Sequence, residues 1–233
     1  MATLTKIACF GSVATLCLLA GCTTETLFQS NFSSNPIGSP PAMTQAIGTA
    51  HSFGPGNSVQ VVGPIAGSTE NWLQVSRGAG DQQIAGMQGV LSAVRPPGVF
   101  TLSAAVYIPA GAGAATILFG PDYPASENSL PEFLHLDFMP DNHVRIDDVD
   151  TTEFGTFPRN QTFDVFVTLT TNVNPATAHI ALIGAGASGS ADYKILPFEQ
   201  SLAQQFGSVT FWMGYPWLGS FDATDIVVTH NTQ

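Results

Sequence analysis

The sequence predicts an all-β protein built as an antiparallel β-sandwich. Apolar residues alternate with polar ones over several short stretches, and Gly, Pro, Asn or Asp separates most of these stretches. Only 10% of the residues are charged, which argues against coiled coils and charge-rich helical arrays. Many short alternating segments between turn residues are typical of sandwiches and barrels.

Residues 1–21 are predicted to be a lipoprotein signal peptide. Lys6 precedes an apolar run over 7–19 that is too short for the roughly 20 residues of a membrane-spanning helix. The following Leu19-Ala20-Gly21-Cys22 resembles the lipobox of bacterial lipoproteins, which implies cleavage before Cys22 and its acylation. The alternative is an ordinary signal peptide with an incidental cysteine. Acylated Cys22 would anchor the chain to the bilayer of the cell envelope. Thr23 follows this cysteine, and a residue of this kind at that position resembles lipoproteins that are sorted to the outer membrane, if the source is Gram-negative.

The cysteine positions and the charge exclude several classes of function. All three cysteines lie within the first 22 residues, so a disulfide framework, a cysteine-ligated metal and a thiol nucleophile are not expected. The net charge of -11 becomes about -12 without Lys6 and argues against nucleic-acid binding. Acyl chains, and not electrostatic attraction, must therefore hold this acidic chain at an anionic membrane.

The rest of the chain is predicted to be one domain. Residues 22–26 are expected to form a short lipidated tether, and residues 27–233 a single domain with enough apolar residues for one core. The clearest alternating segments and the shorter β-like segments are 100–108, 163–170, 209–213, 58–62, 72–76, 114–119, 177–183 and 224–229.

One short helix is predicted near 198–206. Pro197 would begin it, Phe198, Leu202 and Phe206 would share one face, and Gly207 would end it. The glycine-rich stretches 111–114 and 184–190 are interpreted as turns, because neither has the Lys-Ser/Thr that ends a phosphate-binding P-loop.

A hairpin with concentrated polar chemistry is predicted within 132–153, which holds seven of the 17 acids. Strands over 133–139 and 143–148 would flank Pro140-Asp141-Asn142 and pair Asp137 with Arg145 and His135 with Asp147. This register places four apolar residues on a face turned towards the core and the four polar ones on a face turned towards solvent; the apolar residues are Leu136, Phe138, Val144 and Ile146. Glu132 is expected on the face opposite Asp137.

Three interpretations of the polar face remain open. The residues could be cross-strand pairs that each stabilise the sheet by about 0.2–1 kcal/mol. They could form a ligand site in which Arg145 and the carboxylates bind hydroxyl groups. They could also be catalytic, with Asp137 and Asp147 as the acid/base pair and His135 tuning one of them.

A calcium site is a weaker alternative for the same segment. Asp147, Asp148 and Asp150 could supply oxygen ligands, but the spacing is not that of an EF-hand, and a solvated acidic loop is favoured. No cofactor is therefore expected.

Aromatic residues concentrate in 211–221. Alternation directs Phe211 into the core and Trp212 to the other side, and Tyr215-Pro216-Trp217 reads as a loop that presents two rings. Flat aromatic rings stack on the C–H faces of sugars with little loss of entropy, so these rings, with Tyr107, are candidates for glycan binding. Alternatively, they cap an open end of the core.

The two ends of the domain carry a family resemblance. The predicted opening strand contains Asn31-Phe32 and is followed by Pro36-Ile-Gly38-Ser-Pro-Pro41. The predicted closing strand contains Phe221-Asp222-Ala-Thr-Asp225-Ile-Val-Val. With these two segments, the chain resembles a concanavalin A-like (lectin/glucanase, laminin-G-like) jelly roll. The resemblance implies that the first and last strands pair.

The same resemblance bears on catalysis. Members that hydrolyse β-glucans carry Glu-x-Asp-x-x-Glu, and His135-Leu-Asp137-Phe-Met-Pro140 keeps the Asp but lacks both Glu residues. A retaining glycosidase needs two carboxyl groups about 5–5.5 Å apart, and only Asp137 and Asp147 share a face. Polysaccharide lyases of this fold use His, Tyr and Arg, for which His135, Tyr107 and Arg145 have the right side chains, but the acidic chain would repel a polyanionic glycan.

Three functional hypotheses follow. The favoured one is a surface-anchored, non-catalytic lipoprotein that binds a glycan or another cell-envelope partner. The second is a carbohydrate-active enzyme, either a glycoside hydrolase or a polysaccharide lyase. The third is a structural or assembly lipoprotein that contacts another protein through the 211–221 aromatics.

Overall fold

The computed structural model describes residues 23–43, 45–81, 83–122, 132–147, 153–214 and 216–232. Within these residues the chain is almost entirely strand, which confirms the predicted all-β class. The elements are β1 (Thr23–Ser30), β2 (Gln45–Ala46), β3 (Gly48–Phe53), β4 (Val59–Val62), β5 (Trp72–Arg77), β6 (Ala85–Leu91), β7 (Val99–Tyr107), β8 (Ala115–Pro121), β9 (Leu134–Phe138), β10 (His143–Ile146), β11 (Gly155–Thr156), β12 (Thr162–Thr170), β13 (Thr177–Gly184), β14 (Ser188–Lys194), a 3-10 turn (Pro197–Glu199), α1 (Gln200–Ala203), β15 (Phe206–Met213) and β16 (Gly219–Thr232).

The strands form two antiparallel layers. The back sheet has the order β2-β1-β16-β7-β12-β13-β14, and the front sheet has the order β11-β10-β9-β8-β15-β6-β3. β5 pairs with the first part of β16, and β4 pairs with β5. β11 and β14 join the two layers along one side, where Gly155 pairs with Gly189 and Thr156 with Ser188.

The period of two explains why the layers pack together. β12 alternates strictly between half-buried and buried residues, so one of its faces contributes to the core. Aromatic rings bridge the layers: the Phe221 ring of the back sheet lies 6.1 Å from that of Phe211 and 6.3 Å from that of Phe138, both in the front sheet. Burial of such side chains supplies about 25 cal/mol per Å² of apolar surface.

The first and last strands pair, as the family resemblance implied. Thr23 pairs with Thr232, and the ladder continues to Ser30 and Ile226. The pairing of β16 with β7 shifts register between Thr224 and Val227. On its other edge, β16 pairs with β5 as far as Ala223 and with β1 from Ile226 onward.

Two predicted boundaries are corrected. α1 spans only Gln200–Ala203, while Phe206 already begins β15 and pairs with Pro121 of β8. Tertiary strand pairing therefore overrides the helical spacing of the apolar residues. β1 begins at Thr23, so residues 23–26, which were expected to form a tether, belong to the sheet. No described helix has the length and apolarity needed to cross a membrane.

The sandwich has two distinct ends. We call the end at which β1 begins the base, and the opposite end the top. Two buried or half-buried arginines bind backbone carbonyls of the top loops: Arg77 contacts the carbonyl oxygens of Gly214 (2.8 Å) and Trp217 (2.7 Å), and Arg159 contacts those of Ala112 (3.0 Å) and Met139 (2.9 Å). These contacts connect the end of β5 with the β15–β16 loop, and the β11–β12 loop with the β7–β8 and β9–β10 loops.

Candidate functional site

The predicted hairpin has the predicted register. Asp137 of β9 pairs with Arg145 of β10, and the neighbouring pairs are Phe138 with Val144 and Leu136 with Ile146. The amide of Asp147 donates to the carbonyl of His135 at 3.1 Å, which continues the pairing. The four apolar residues of the hairpin are fully buried in the core, so the polar residues lie on the outer face of the front sheet.

Five other strands of the front sheet each contribute one residue to a row that includes Asp137. Strand register aligns them in a row across the outer face of the front sheet, which we call the site row. From β3 to β10 the site row consists of Phe53, Gly86, Trp212, Thr116, Asp137 and Arg145. The adjacent row on the same face includes His51, Gln88, Thr210, Leu118 and His135.

The β3 side of the site row is aromatic. Gly86 leaves the space between Phe53 and Trp212 free of a side chain, because a Cβ there would lie 2.6 Å from Phe53 Cζ and 2.9 Å from Trp212 Cβ. His51 stacks on Phe53 with 6.1 Å between ring centroids. The Trp212 indole lies against Gly214, where a Cβ would overlap the ring. Its Nε1 is buried and has no hydrogen-bond partner among the described residues.

The β10 side of the site row is polar. Asp137 is only 5% exposed, and its carboxylate accepts a hydrogen bond from Thr116 Oγ1 at 2.8 Å. Asp137 Oδ2 also lies 3.2 Å from His135 Nε2. Arg145 Nη2 contacts Asp141 Oδ2 at 3.2 Å. Asp137 is therefore buried among polar groups, whereas the hairpin pattern predicted that it faces solvent.

His135 carries a stable positive charge. Its Nδ1 lies 3.4 Å from Glu132 Oε2 and 4.0 Å from Asp147 Oδ1. Burial disfavours the imidazolium, but the hydrogen bonds and charges of Asp137 and Glu132 outweigh this effect and raise the pKa of His135 to about 11. At neutral pH the ring is therefore protonated and cannot act as a general base.

The prediction for Glu132 was wrong. β9 begins at Leu134, so Glu132 precedes the strand and strand alternation does not fix its direction. Its carboxylate contacts His135 on the same side as Asp137.

Behind His135 lies a second group of acids near the base. Asp147 has a φ of 56° and accepts a hydrogen bond from the His135 amide at 2.9 Å. Burial raises the pKa of Asp147, although Tyr193 of the back sheet and the His135 amide oppose this shift. Burial, followed by the charge of Asp147, raises the pKa of Glu199 to about 7. Sequence patterns gave no signal for Tyr193 or Glu199, because they belong to β14 and the following turn.

The remaining predicted site residues are placed elsewhere or lie outside the described residues. Tyr107 pairs with Asp222 and Thr162 on the back sheet, so it does not join the site row. Trp217 lies in the top loops, where a Cβ on Gly113 would be 2.6 Å from its Cβ. The predicted residues outside the described part are Cys22, Asp148, Asp150 and Tyr215.

The described residues include no group of three or more His, Cys, Asp or Glu side chains arranged to hold a metal ion. Asp147, the described member of the calcium alternative, is held by the His135 amide.

Comparison with known proteins identifies the fold. No protein-family model matches the chain, and no curated protein sequence matches it. The structure is similar to basic winged bean lectin in complex with Tn-antigen (TM-score 0.55, 10% identity, covering 91% of this chain and 98% of the lectin). It is also similar to lectin I from Ulex europaeus in complex with the methyl glycoside of α-L-fucose (TM-score 0.51, 11% identity, 91% and 98% covered).

A further solved structure with a similar fold is an enzyme. It is the endo-1,3-β-glucanase from Streptomyces sioyaensis (TM-score 0.51, 14% identity, 88% of this chain and 96% of the enzyme covered). The predicted sandwich class and the resemblance in fold are therefore confirmed: this chain has the concanavalin A-like jelly-roll fold that legume lectins and a β-glucanase share.

Proposed function

We propose that this chain is a non-catalytic glycan-binding lipoprotein that binds its ligand on the outer face of the front sheet. The observation that carries this proposal is the site row, in which strand register places an indole two strands away from a buried carboxylate and three strands away from a guanidinium. Neighbouring strands are about 4.8 Å apart, so the backbones at Trp212 and Asp137 are roughly 10 Å apart.

The two parts of the site row match the two kinds of surface on a sugar. A pyranose ring presents C–H groups that pack on Trp212, and it presents hydroxyl groups that hydrogen-bond to Asp137, Thr116 and Arg145. The contacts of His135 and Thr116 hold the Asp137 carboxylate in place before a ligand binds. Such preorganisation reduces the entropic cost of binding.

The electrostatics of the site favour binding over hydrolysis. Asp137 and Asp147 lie beside opposite ring nitrogens of one protonated histidine, whose charge favours the carboxylate form of Asp147 and opposes the rise in its pKa that burial causes. A glycosidase needs one carboxyl group that can donate a proton. The two glutamates of the β-glucan-hydrolysing members are also absent from the β9 sequence.

The lectin neighbours support a sugar as the ligand, because two of them are complexes with Tn-antigen and with the methyl glycoside of α-L-fucose. The acidic net charge of -11 favours a neutral glycan over a polyanionic one.

The site is tested by glycan-array binding followed by calorimetry with the best ligand. Trp212→Ala should weaken binding at least tenfold, and Asp137→Asn should weaken it without a loss of the sandwich fold. Tyr107→Ala is the matched control, because it removes an aromatic ring from the back sheet and should leave affinity unchanged. Equal affinity of Trp212→Ala and wild type would exclude the site row as the binding surface.

A carbohydrate-active enzyme is the second candidate. The pKa of about 7 for Glu199, next to Asp147, supplies a carboxyl group that is partly protonated at neutral pH. Turnover of a polysaccharide panel that is lost in both Glu199→Gln and Asp137→Asn would favour this enzyme and overturn the non-catalytic proposal.

The anchor is part of the same proposal. We propose that acylated Cys22 holds the chain in the bacterial envelope, at the outer membrane if the organism is Gram-negative. Mass spectrometry of the N-terminal peptide should show the acyl chains on Cys22, and Cys22→Ser should release the protein from the membrane fraction. An uncleaved or unacylated N-terminus would contradict this part.

A further inference from the structure

Three exposed apolar side chains lie at the base of the sandwich. Phe198 is 76% exposed, and Val94 and Val173 are each 43% exposed. Each belongs to a different connection at the base: Val94 lies between β6 and β7, Val173 between β12 and β13, and Phe198 between β14 and β15.

These three connections and the start of β1 belong to one continuous surface. Pairing aligns the strand ends of the back sheet in a row that begins at β1 and ends at β14. The residues of this row are Thr24, Asn231, Val99, Thr170, Thr177 and Lys194. With about 4.8 Å between strands, the row spans roughly 24 Å.

Hydrogen bonds hold the connections against one another. The Gly98 amide donates to Thr171 Oγ1 at 3.0 Å, which joins the Val94 connection to the Val173 connection. The Ala176 amide donates to Gln200 Oε1 at 2.7 Å, which joins the Val173 connection to the turn that bears Phe198. Arg95 binds Glu25 of β1 at 2.8 Å. The exposed apolar groups are therefore presented on ordered backbone.

Most carboxylates near the base have a partner or are partly buried. Lys194 is exposed there, and the nearby Asp192, whose side chain is 89% exposed, lies 2.7 Å from His179. The carboxylate of Glu25 is paired with Arg95, and that of Glu132 with His135. One carboxylate oxygen of Glu199, the residue after Phe198, is buried.

We infer that the base is a bilayer-contacting surface, in which Phe198, Val173 and Val94 enter the membrane interface beside the lipidated N-terminus. This inference rests on the anchor of the proposed function. Because β1 begins at Thr23, the acyl chains on Cys22 would emerge directly from the base, without a tether that would let the domain rotate freely. The acyl chains supply the affinity, and the three side chains set the orientation.

The orientation has a consequence for the candidate site. β7 runs from base to top over nine residues, which corresponds to roughly 26 Å. The Trp212 end of the front sheet and the top loops would therefore face away from the membrane, where a glycan of the envelope can reach them.

The experiment measures the depth of single labels in vesicles. The acylated protein is reconstituted into phosphatidylcholine vesicles with an environment-sensitive fluorophore on Phe198→Cys or Val173→Cys, since the only other cysteine of the processed chain is the acylated one. The matched controls are Leu218→Cys in the top loops, where the native side chain is also 43% exposed, and Ile183→Cys near the top of β13. Labels at 198 and 173 should shift to the blue and be quenched by spin-labelled lipid, and labels at 218 and 183 should not.

Labels at 198 and 173 that stay as accessible to water as the one at 218 would overturn the inference. So would protection at 198 that requires an added envelope protein, because that result would identify a protein partner. A second arm attaches the chain from Thr23 onward, through an N-terminal His-tag, to vesicles with nickel-chelating lipid. It tests the contact of the base even if Cys22 proves unacylated, an outcome that would refute only the anchor. Glycan binding depends on neither result.

Discussion

His135 gives the sharpest test of the electrostatics of the site. The variant His135→Gln removes the cation that lies between Asp137 and Glu132, while it keeps a polar side chain. Asp137 is almost completely buried, and the loss of one partner of a buried ion pair typically costs about 3–5 kcal/mol, because the other charge stays buried and uncompensated. We expect a loss of this size in the free energy of unfolding at pH 7.

The pH dependence of this loss follows from the direction of the pKa shift. The pKa of His135 is about 11 in the folded state, whereas an unperturbed histidine has a pKa of 6.5. A raised pKa contributes stability that is fully present below pH 6.5 and is lost as pH rises through 11, at about 1.4 kcal/mol per pH unit. The stability difference between wild type and His135→Gln should therefore be largest near pH 6.5 and should shrink steadily as pH rises towards 10.

Urea unfolding at pH 7, 8.5 and 10 measures both effects, with the m-value as a check that the unfolded states are comparable. His179→Gln is the matched control. His179 lies 2.7 Å from Asp192, but its side chain is 55% exposed, so its loss should change stability by less than about 0.5 kcal/mol. A His135→Gln variant that loses less than about 1 kcal/mol, or whose loss does not depend on pH, would refute the reasoning.

Three further predictions concern the framework around the site. Burial raises the pKa of the Asp222 carboxyl from 3.8 to about 6. The folded state therefore favours the protonated carboxyl. This stabilisation of the folded state is lost as pH rises from 4 to 7 and the carboxyl ionises. Asp222→Asn should be on the order of 1–3 kcal/mol more stable than wild type at pH 8 and equal to it below pH 4, as thermal unfolding at both pH values will show; a destabilised variant at pH 8 would contradict this. Gly189→Ala should lower the free energy of unfolding by about 1–3 kcal/mol, because the new Cβ would lie 2.6 Å from the Gly155 Cα and separate β11 from β14. Amide hydrogen exchange should then become faster in β11 and β14. Unchanged protection of these amides would count against a role of this glycine pair in joining the sheets. Arg77→Lys should lower the free energy of unfolding by at least about 2 kcal/mol, because one ammonium group cannot replace all the hydrogen bonds from the guanidinium to the carbonyls of the top loops. The tryptophan fluorescence emission should shift, because Trp217 is released. An unchanged emission spectrum would argue against this positioning role of Arg77.

The register of the β9–β10 hairpin could be predicted because its determinants are local. Pro140-Asp141-Asn142 supplies the turn, and only one alignment of the flanking residues places all four apolar side chains on one face. The structure has this alignment. β6 was missed for the opposite reason: its sequence Ala-Gly-Met-Gln-Gly-Val-Leu contains two glycines and a glutamine, and it does not alternate.

The neighbours of the hairpin could not be predicted, because they come from distant parts of the chain. Trp212 and Gly86 are more than 100 residues apart and become adjacent only through the pairing of β15 with β6. Sequence alternation directed Trp212 out of the core, but it carried no information on which strand would lie beside it. The partners of His135 are a similar case, since Glu132 precedes the strand and its direction depends on the loop.

Local sequence patterns were enough to predict the fold class, the two-faced strands and the outward direction of the polar hairpin residues, because a period of two and turn residues act over a few positions. The partial closure of the outer face of the front sheet, where Asp137 is buried against Thr116 and His135, could be seen only in the folded chain. The reason is that burial of an outer face depends on strand order and on which segments meet there. These are properties of long-range packing, and local hydrophobic patterns do not encode them.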